Sequence, residues 1–263
     1  MGDDGDRRDG GSDVDDGDDH ERQHYRAREG APGVLHLFHD VDHVLETDKG
    51  KKDEPGALIL LDAGGKAFSA GVDVADHTAD KVESMIDVFD RLFLAMAGID
   101  KPIVAAVNGA ALGGSYEVVL FCDLVVASEK AKFGQPEISV GVFPPIACYV
   151  LPRLLSWPLA LELLLSGEVI GAARAEQLGL VNKVLPAESF ADGVKEYLRK
   201  FLAQSPVVLA LTKKAARAGL NKNFDQGLKA IDHIYLKELM QTKDAVEGLT
   251  AFMEKRKPVW QGK

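Results

Sequence analysis

The chain has 263 residues, 46% of them hydrophobic, and a formal net charge of −10. That is enough apolar material for one sizeable core with room for a small second part, yet no run approaches the roughly 18 consecutive apolar residues of a membrane span. An acidic chain with no basic stripe argues against nucleic acid as the main partner, and an acidic, polar start resembles neither a signal nor a transit peptide, which makes the cytoplasm the expected location.

The first thirty residues carry a net charge of −6, leaving −4 for the rest. They are rich in Asp, Gly and Arg with almost no aliphatic residues. Such a segment cannot bury enough surface to offset its ordering entropy, so disorder is expected over residues 1–33. A calcium loop on Asp13, Asp15 and Asp19 fails, because Gly17 falls where the fifth position needs a ligand. Val34–Glu46 has helical spacing, with Leu35, Phe38, Val41 and Leu45 on one face. The run His39-Asp40-Val41-Asp42-His43 could set two His at i, i+4 for zinc, but no obvious third ligand follows, and a solvated polar face is the expectation.

From Gly56 the pattern changes to strand, loop and helix. Ala57–Leu61 reads as a short buried strand, and residues 64–73 as the loop after it. Lys81 to about Ile99 reads as a helix with Met85, Val88, Phe89, Leu92 and Met96 at core spacing. Pro102–Val107 is a second buried strand. A glycine-rich turn, Asn108–Gly114, opens a helix over Ser115–Cys122, and Leu124–Ala127 is a third strand. Alternating strands and helices indicate an α/β domain. After about Trp157 the chain reads as nearly all helix: 158–165, 172–177, 189–203, 207–218, 224–241 and 243–255. The expected organisation is an α/β core over 34–186 and a helical, oligomer-forming region over 187–263. Cys122 and Cys148 each sit in an apolar run and are expected to be small buried hydrophobes.

Two loops follow two buried strands, and backbone N–H groups at a helix start lie at the positive end of its dipole with no partner of their own. Two such groups from separate loops can converge on one developing oxyanion. Ala70 and Gly114 are the candidate donors, and small residues there let a carbonyl approach the backbone. Glu117 lies one turn beyond Gly114 in a mostly apolar helix, where an unpartnered carboxylate would be costly to bury. Glu137 follows Pro136, which stiffens its approach.

The segments 67–74 (AFSAGVDV), 101–117 (KPIVAAVNGAALGGSYE), 122–141 (CDLVVASEKAKFGQPEISVG), 165–186 (LSGEVIGAARAEQLGLVNKVLP) and 247–258 (EGLTAFMEKRKP) together resemble the crotonase (enoyl-CoA hydratase/isomerase) superfamily. The resemblance implies an α/β fold: a spiral of ββα units with a helical C-terminal region, assembled as a homotrimer or homohexamer. It implies Ala70 and Gly114 as the oxyanion hole and Glu117 and Glu137 as catalytic acid/base groups. Ser69, Gly71, Val72, Asp73, Gly113, Pro136 and Val142 would contact the substrate, and Lys255 its coenzyme A. The activity implied is a hydro-lyase acting on an acyl-CoA thioester. Coenzyme A enters as part of the substrate, with no metal and no further cofactor.

Within the family, SAGVDV with His77 close behind, and GVFPP (141–145) in place of a glycine-rich segment, are similar to cyclic dienoyl-CoA hydratases of the cyclohexa-1,5-diene-1-carbonyl-CoA type, which serve anaerobic aromatic-acid degradation. Plain short-chain enoyl-CoA hydration, double-bond isomerisation, and a non-catalytic binding or assembly role remain as alternatives. Two departures stand out. The front of the chain lacks the family's first two strands, which would leave the next strand with an exposed edge. At Ser115-Tyr116 the family commonly has a third Gly and a small residue; Tyr116 either shapes a ring-sized pocket or packs in the core.

Overall fold

The computed structural model describes residues 57–62, 68–69 and 77–263. The expected disorder over 1–33, the helix at Val34–Glu46 and the His39–His43 run lie outside the described residues.

Four parallel strands form the main sheet: β1 (Ile59–Asp62), β2 (Ile103–Val107), β4 (Leu124–Ser128) and β7 (Lys183–Leu185), in the order β1-β2-β4-β7. Register is fixed by pairs such as Leu60 with Val104, Ala105 with Val125 and Val126 with Lys183. All five residues of β2 (IVAAV) are buried, as a central parallel strand covered on both faces requires. Among the described residues β1 has a strand on one side only. A second sheet, β3-β5-β6, pairs β3 (Ala110–Leu112) parallel to β5 (Lys132–Gly134) and β5 antiparallel to β6 (Ile170–Gly171).

Helix α1 (Val82–Ala97) buries Met85, Phe89, Phe93 and Met96. Phe93 takes the core position expected of Val88 and Leu92, which are half-buried. Its ring meets Phe89 and Phe121 edge-on, with centroids 4.9 and 5.1 Å away. Helix α2 (Gly114–Phe121) is buried over seven of its eight residues. Helices α3 (Pro145–Leu154), α4 (Trp157–Ser166) and α5 (Ala172–Gln177) close the core around Phe133, Leu151 and Ala160. Four more follow: α6 (Phe190–Leu202), α7 (Pro206–Gly219), α8 (Phe224–Lys237) and α9 (Lys243–Met253).

Several elements differ from expectation. The stretch after Trp157 contains β6 and β7, and β7 is the fourth strand of the main sheet. The glycine-rich turn at 108–114 contains β3. The expected helix over 224–241 breaks at Glu238, and Leu239–Gln241 is a short 3-10 turn. Cys148 is exposed and Cys122 only half-buried. Cys148 lies one helix position past the buried Ala147, so the helical turn carries it to the outer face. Tyr116 packs in the core, its ring 5.2 Å from that of Phe133.

Candidate active site

Glu117 stands in the first turn of α2 and is only 2% exposed. Its carboxylate has an identifiable partner. Helix α3 begins at Pro145 with Pro144 as its N-cap, and prolines have no N–H, so its first free donors are those of Ile146 and Ala147. The Ala147 N–H donates to Glu117 Oε1 at 2.8 Å. The carboxylate thus caps the positive end of α3. Burial outweighs this cap and pushes the carboxyl up to about 7; the charges of Glu137 and Asp90 act in the same direction, while the Ala147 and Ile146 N–H groups oppose it.

Glu137 sits on a 3-10 turn (Pro136–Val140) directly after β5, and Gly141, at φ +83°, turns the chain away behind it. Burial raises its pKa too, and the His77 charge works against that rise. The buried amide of Gln135 holds this carboxylate. With the amide turned so that its nitrogen faces them, the orientation that gives both of its ends partners, it donates to Glu137 Oε1 and Oε2, both at 3.1 Å, and to the Gly113 carbonyl at 3.3 Å. Gly113 has φ +59° and ψ −136°, and a Cβ there would fall 2.9 Å from Glu137 Oε1. Only glycine meets both demands. The same residue ends β3 and starts α2, so one glycine brings the helix that carries Glu117 against the turn that carries Glu137.

Both glutamates line a cavity of about 500 Å³. Its walls are Met85, Ile86 and Phe89 of α1, His77 and Thr78 before it, Gly113 and Gly114 at the start of α2, and Val140, Val142, Phe143, Pro144 and Pro145 beyond Glu137. The wall is mostly apolar with few ionisable groups, as ligand sites commonly are. The Gly114 N–H, first in α2, has no acceptor among the described residues. An apolar site with two carboxyl groups whose pKa values are both raised and a helix-start N–H facing it can polarise a carbonyl and move protons at carbons beside it.

A family model for enoyl-CoA hydratase/isomerase matches residues 35–263. The chain belongs to the enoyl-CoA hydratase/isomerase family. It is 36% identical over 211 residues to the crotonyl-CoA hydratase of Syntrophomonas wolfei, covering 78% of this chain and 81% of that protein. It is 37% identical over 205 residues to the cyclohexa-1,5-dienecarbonyl-CoA hydratase of Thauera aromatica, covering 78% and 79%. Among solved structures, the enoyl-CoA hydratase of Bacillus anthracis superposes with a TM-score of 0.75 at 30% identity, over 80% of this chain and 84% of that one. The fold is therefore the crotonase fold that the sequence segments suggest.

Of the site residues read from sequence in this family member, Glu117, Glu137, Gly113, Gly114, Pro136 and Val142 share the cavity. Ser69 lies beside it in sequence space only through β3: it bridges Ala111, and its carbonyl accepts the Leu112 N–H at 3.3 Å. Lys255 is exposed beyond the end of α9, in the left-handed region at φ +56°, and does not line the cavity. Ala70, Gly71, Val72 and Asp73 lie outside the described residues. Sequence reasoning missed Gln135 and left His77 as a family likeness only. Nothing in the local pattern marks Gln135; its role depends on contact with Gly113, 22 positions away in the chain.

Proposed function

We propose that this chain hydrates the double bond conjugated to an acyl-CoA thioester, and that its substrate is a cyclic dienoyl-CoA. The chain is an enzyme of the enoyl-CoA hydratase type, and acyl-CoA is its substrate class. One observation carries the reading: a buried carboxyl group, Glu117, a half-buried one, Glu137, and the Gly114 N–H, which has no acceptor among the described residues, on one apolar cavity.

In the proposed mechanism the thioester oxygen accepts hydrogen bonds from the Gly114 and Ala70 N–H groups. That draws electrons from the conjugated alkene and makes its distal carbon electrophilic. One carboxylate takes a proton from water as the new C–O bond forms at that carbon. The electron pair moves onto the thioester as an enolate, and a carboxyl group returns a proton to the carbon beside the carbonyl. Burial raises both carboxyl groups, and that of Glu117, pushed up to about 7, can hold a proton near neutrality. The steps add one water without oxidation or reduction, so no metal or redox cofactor enters the proposal.

The ring-shaped substrate is supported by the breadth of the cavity and by the aromatic and proline residues 143–145 at its wall. The short-chain reading is supported equally by overall identity to the Syntrophomonas wolfei protein. Incubation with cyclohexadienoyl-CoA and with crotonyl-CoA, following loss of the conjugated thioester absorbance, separates them. Turnover of the cyclic thioester is expected. Turnover of crotonyl-CoA alone rejects the cyclic assignment, and turnover of neither overturns hydration. Glu117→Gln and Glu137→Gln should each lower kcat on the order of 10²-fold or more. If only one of them matters, double-bond isomerisation becomes the better reading, because moving a double bond can manage with one carboxylate.

A further inference from the structure

Phe143 lines the cavity, yet 68% of it is exposed. The largest apolar residues of the α1 wall differ in this respect. Met85 and Phe89 are packed by their own chain down to 7% and 2% exposure. Nor is Phe143 carried on a slack loop. The Val142 N–H donates to the Glu137 carbonyl at 3.2 Å, which ties the residue before Phe143 to the turn that carries Glu137. Pro144, the residue after it, is fully buried, and its carbonyl accepts the Cys148 N–H at 3.0 Å in the first turn of α3. A proline also disfavours the helical conformation in the residue before it, and Pro144 and Pro145 each have their own φ fixed by the ring. Residues 142–147 therefore form a short strap from the Glu137 turn to the helix start that caps Glu117. Phe143 is the large apolar side chain that this strap leaves in water.

Covering an apolar ring with a ligand removes it from water, which favours binding. A ring whose backbone is already fixed loses little further freedom when covered, so more of that gain appears as affinity. A flat aromatic face meets another flat ring in offset or edge-on contact, at centroid distances of about 4.5–7 Å, and has no such match with a short straight chain. Val140 is the other strongly exposed apolar residue on the wall, at 63%, but its side chain is small and has no flat face. We propose that Phe143 is a specificity-determining residue, which packs against the acyl group and selects a flat six-membered ring over a short straight chain. The proposal rests on the reading of this cavity as the acyl site of an acyl-CoA hydratase.

The test compares benzoyl-CoA with butyryl-CoA. Both carry the same coenzyme A and neither offers an alkene to hydrate, so the ratio of their dissociation constants reports the acyl group. Isothermal titration calorimetry gives that ratio for the wild-type chain and for Phe143→Ala, Phe143→Leu, Phe143→Tyr and Val140→Ala, with the melting temperature and sedimentation mass of each. The wild-type chain should favour benzoyl-CoA on the order of tenfold or more, and Phe143→Ala should remove most of that preference by weakening benzoyl-CoA. Phe143→Leu, apolar but not flat, should fall between the two, and Phe143→Tyr, which keeps the ring, should stay within about twofold of wild type. The ratio of kcat/KM for cyclohexadienoyl-CoA over crotonyl-CoA should move in the same direction. If Phe143→Ala folds poorly, Phe143→Leu carries the comparison. A wild-type chain with no preference for the ring overturns the role of Phe143, as does an unchanged ratio in its folded variants, an equal weakening of both ligands, or an equal change in Val140→Ala. A lower mass with an unchanged ratio also overturns it, since Phe143 would then face another copy of the chain. All of these leave the hydratase reading standing. A wild-type chain that binds neither thioester overturns the acyl site itself.

Discussion

Glu117 illustrates how one side chain can serve the reaction at a cost to the fold. Its carboxyl has a pKa of about 7 in the folded chain against an ordinary value of 4.5. The folded state therefore binds the proton more tightly than the unfolded state does, and stability is lost as pH rises from about 4.5 to 7. At about 1.4 kcal/mol per unit, the penalty for the ionised form is on the order of 3–4 kcal/mol above pH 7. Glu117→Gln removes the charge, and its amide oxygen can still accept the Ala147 N–H. The variant should melt above the wild type at pH 8, with the gap closing toward pH 4.5, while its activity falls. Urea or thermal unfolding across that pH range checks this. A gap that does not change with pH would show that burial of the charge is not what raises the carboxyl. The same residue shows what was legible in sequence. A glutamate within Tyr116–Phe121 stands out as costly, whereas the partner that makes its burial tolerable, the N-terminus of α3, follows two prolines that give no sign of facing α2.

At the scale of elements, α7 is held to the α/β core by polar contacts. Among its residues none is fully buried. Asp123, just after α2, accepts from Lys213 Nζ at 2.5 Å, from the Ile103 N–H at 2.7 Å and from Arg217 at 3.5 Å. Lys213 is 8% exposed on its side chain and also donates to the Lys101 carbonyl at 2.8 Å. Asp123→Ala leaves that ammonium without its counter-charge and the Ile103 N–H without its acceptor; because Asp123 is partly exposed, the loss should be about 1–2 kcal/mol. Urea unfolding should show this loss, and Asp123→Asn should lose less because it keeps an acceptor. A loss below about 1 kcal/mol for the alanine variant would mean that apolar packing alone docks α7. Long periodic elements such as α1 and α6 were readable from their spacing, and the buried run of β2 from its composition. The strands β3, β5, β6 and β7 have two or three residues, too few to display a period, and each forms only because a neighbouring strand offers a ladder.

At the scale of the whole molecule, the C-terminal helices carry many exposed apolar side chains that no other described residue covers. Phe224 is 84% exposed, Phe252 85% and Met253 74%, with Leu220, Leu236, Val246 and Leu249 also exposed. Monomeric proteins seldom expose so much apolar side chain on consecutive helices. We propose that these helices meet further copies of the chain as a homotrimer or homohexamer. Sedimentation equilibrium should give three or six chains at micromolar concentration, and Phe252→Asp should shift the population toward monomer. A wild-type monomer at those concentrations would rule out the assembly. No helix among the described residues is long and apolar enough to cross a membrane.

The sequence by itself determined the α/β alternation, the crotonase likeness, the two glutamates and the glycine pair before α2. Each of these is encoded within a few consecutive residues, by hydropathy, spacing or the absence of a Cβ. Tertiary structure alone decided that Gln135 grips Glu137, that α3 caps Glu117, that Ser115 reaches Ser69, that Tyr116 turns into the core and that Cys148 faces outward. Those outcomes depend on which distant backbone groups arrive at the same place, and no local pattern carries that information. The physical reason is that a buried polar group must find a partner, and for Glu117 and Ser115 the partners come from 30 and 46 positions away.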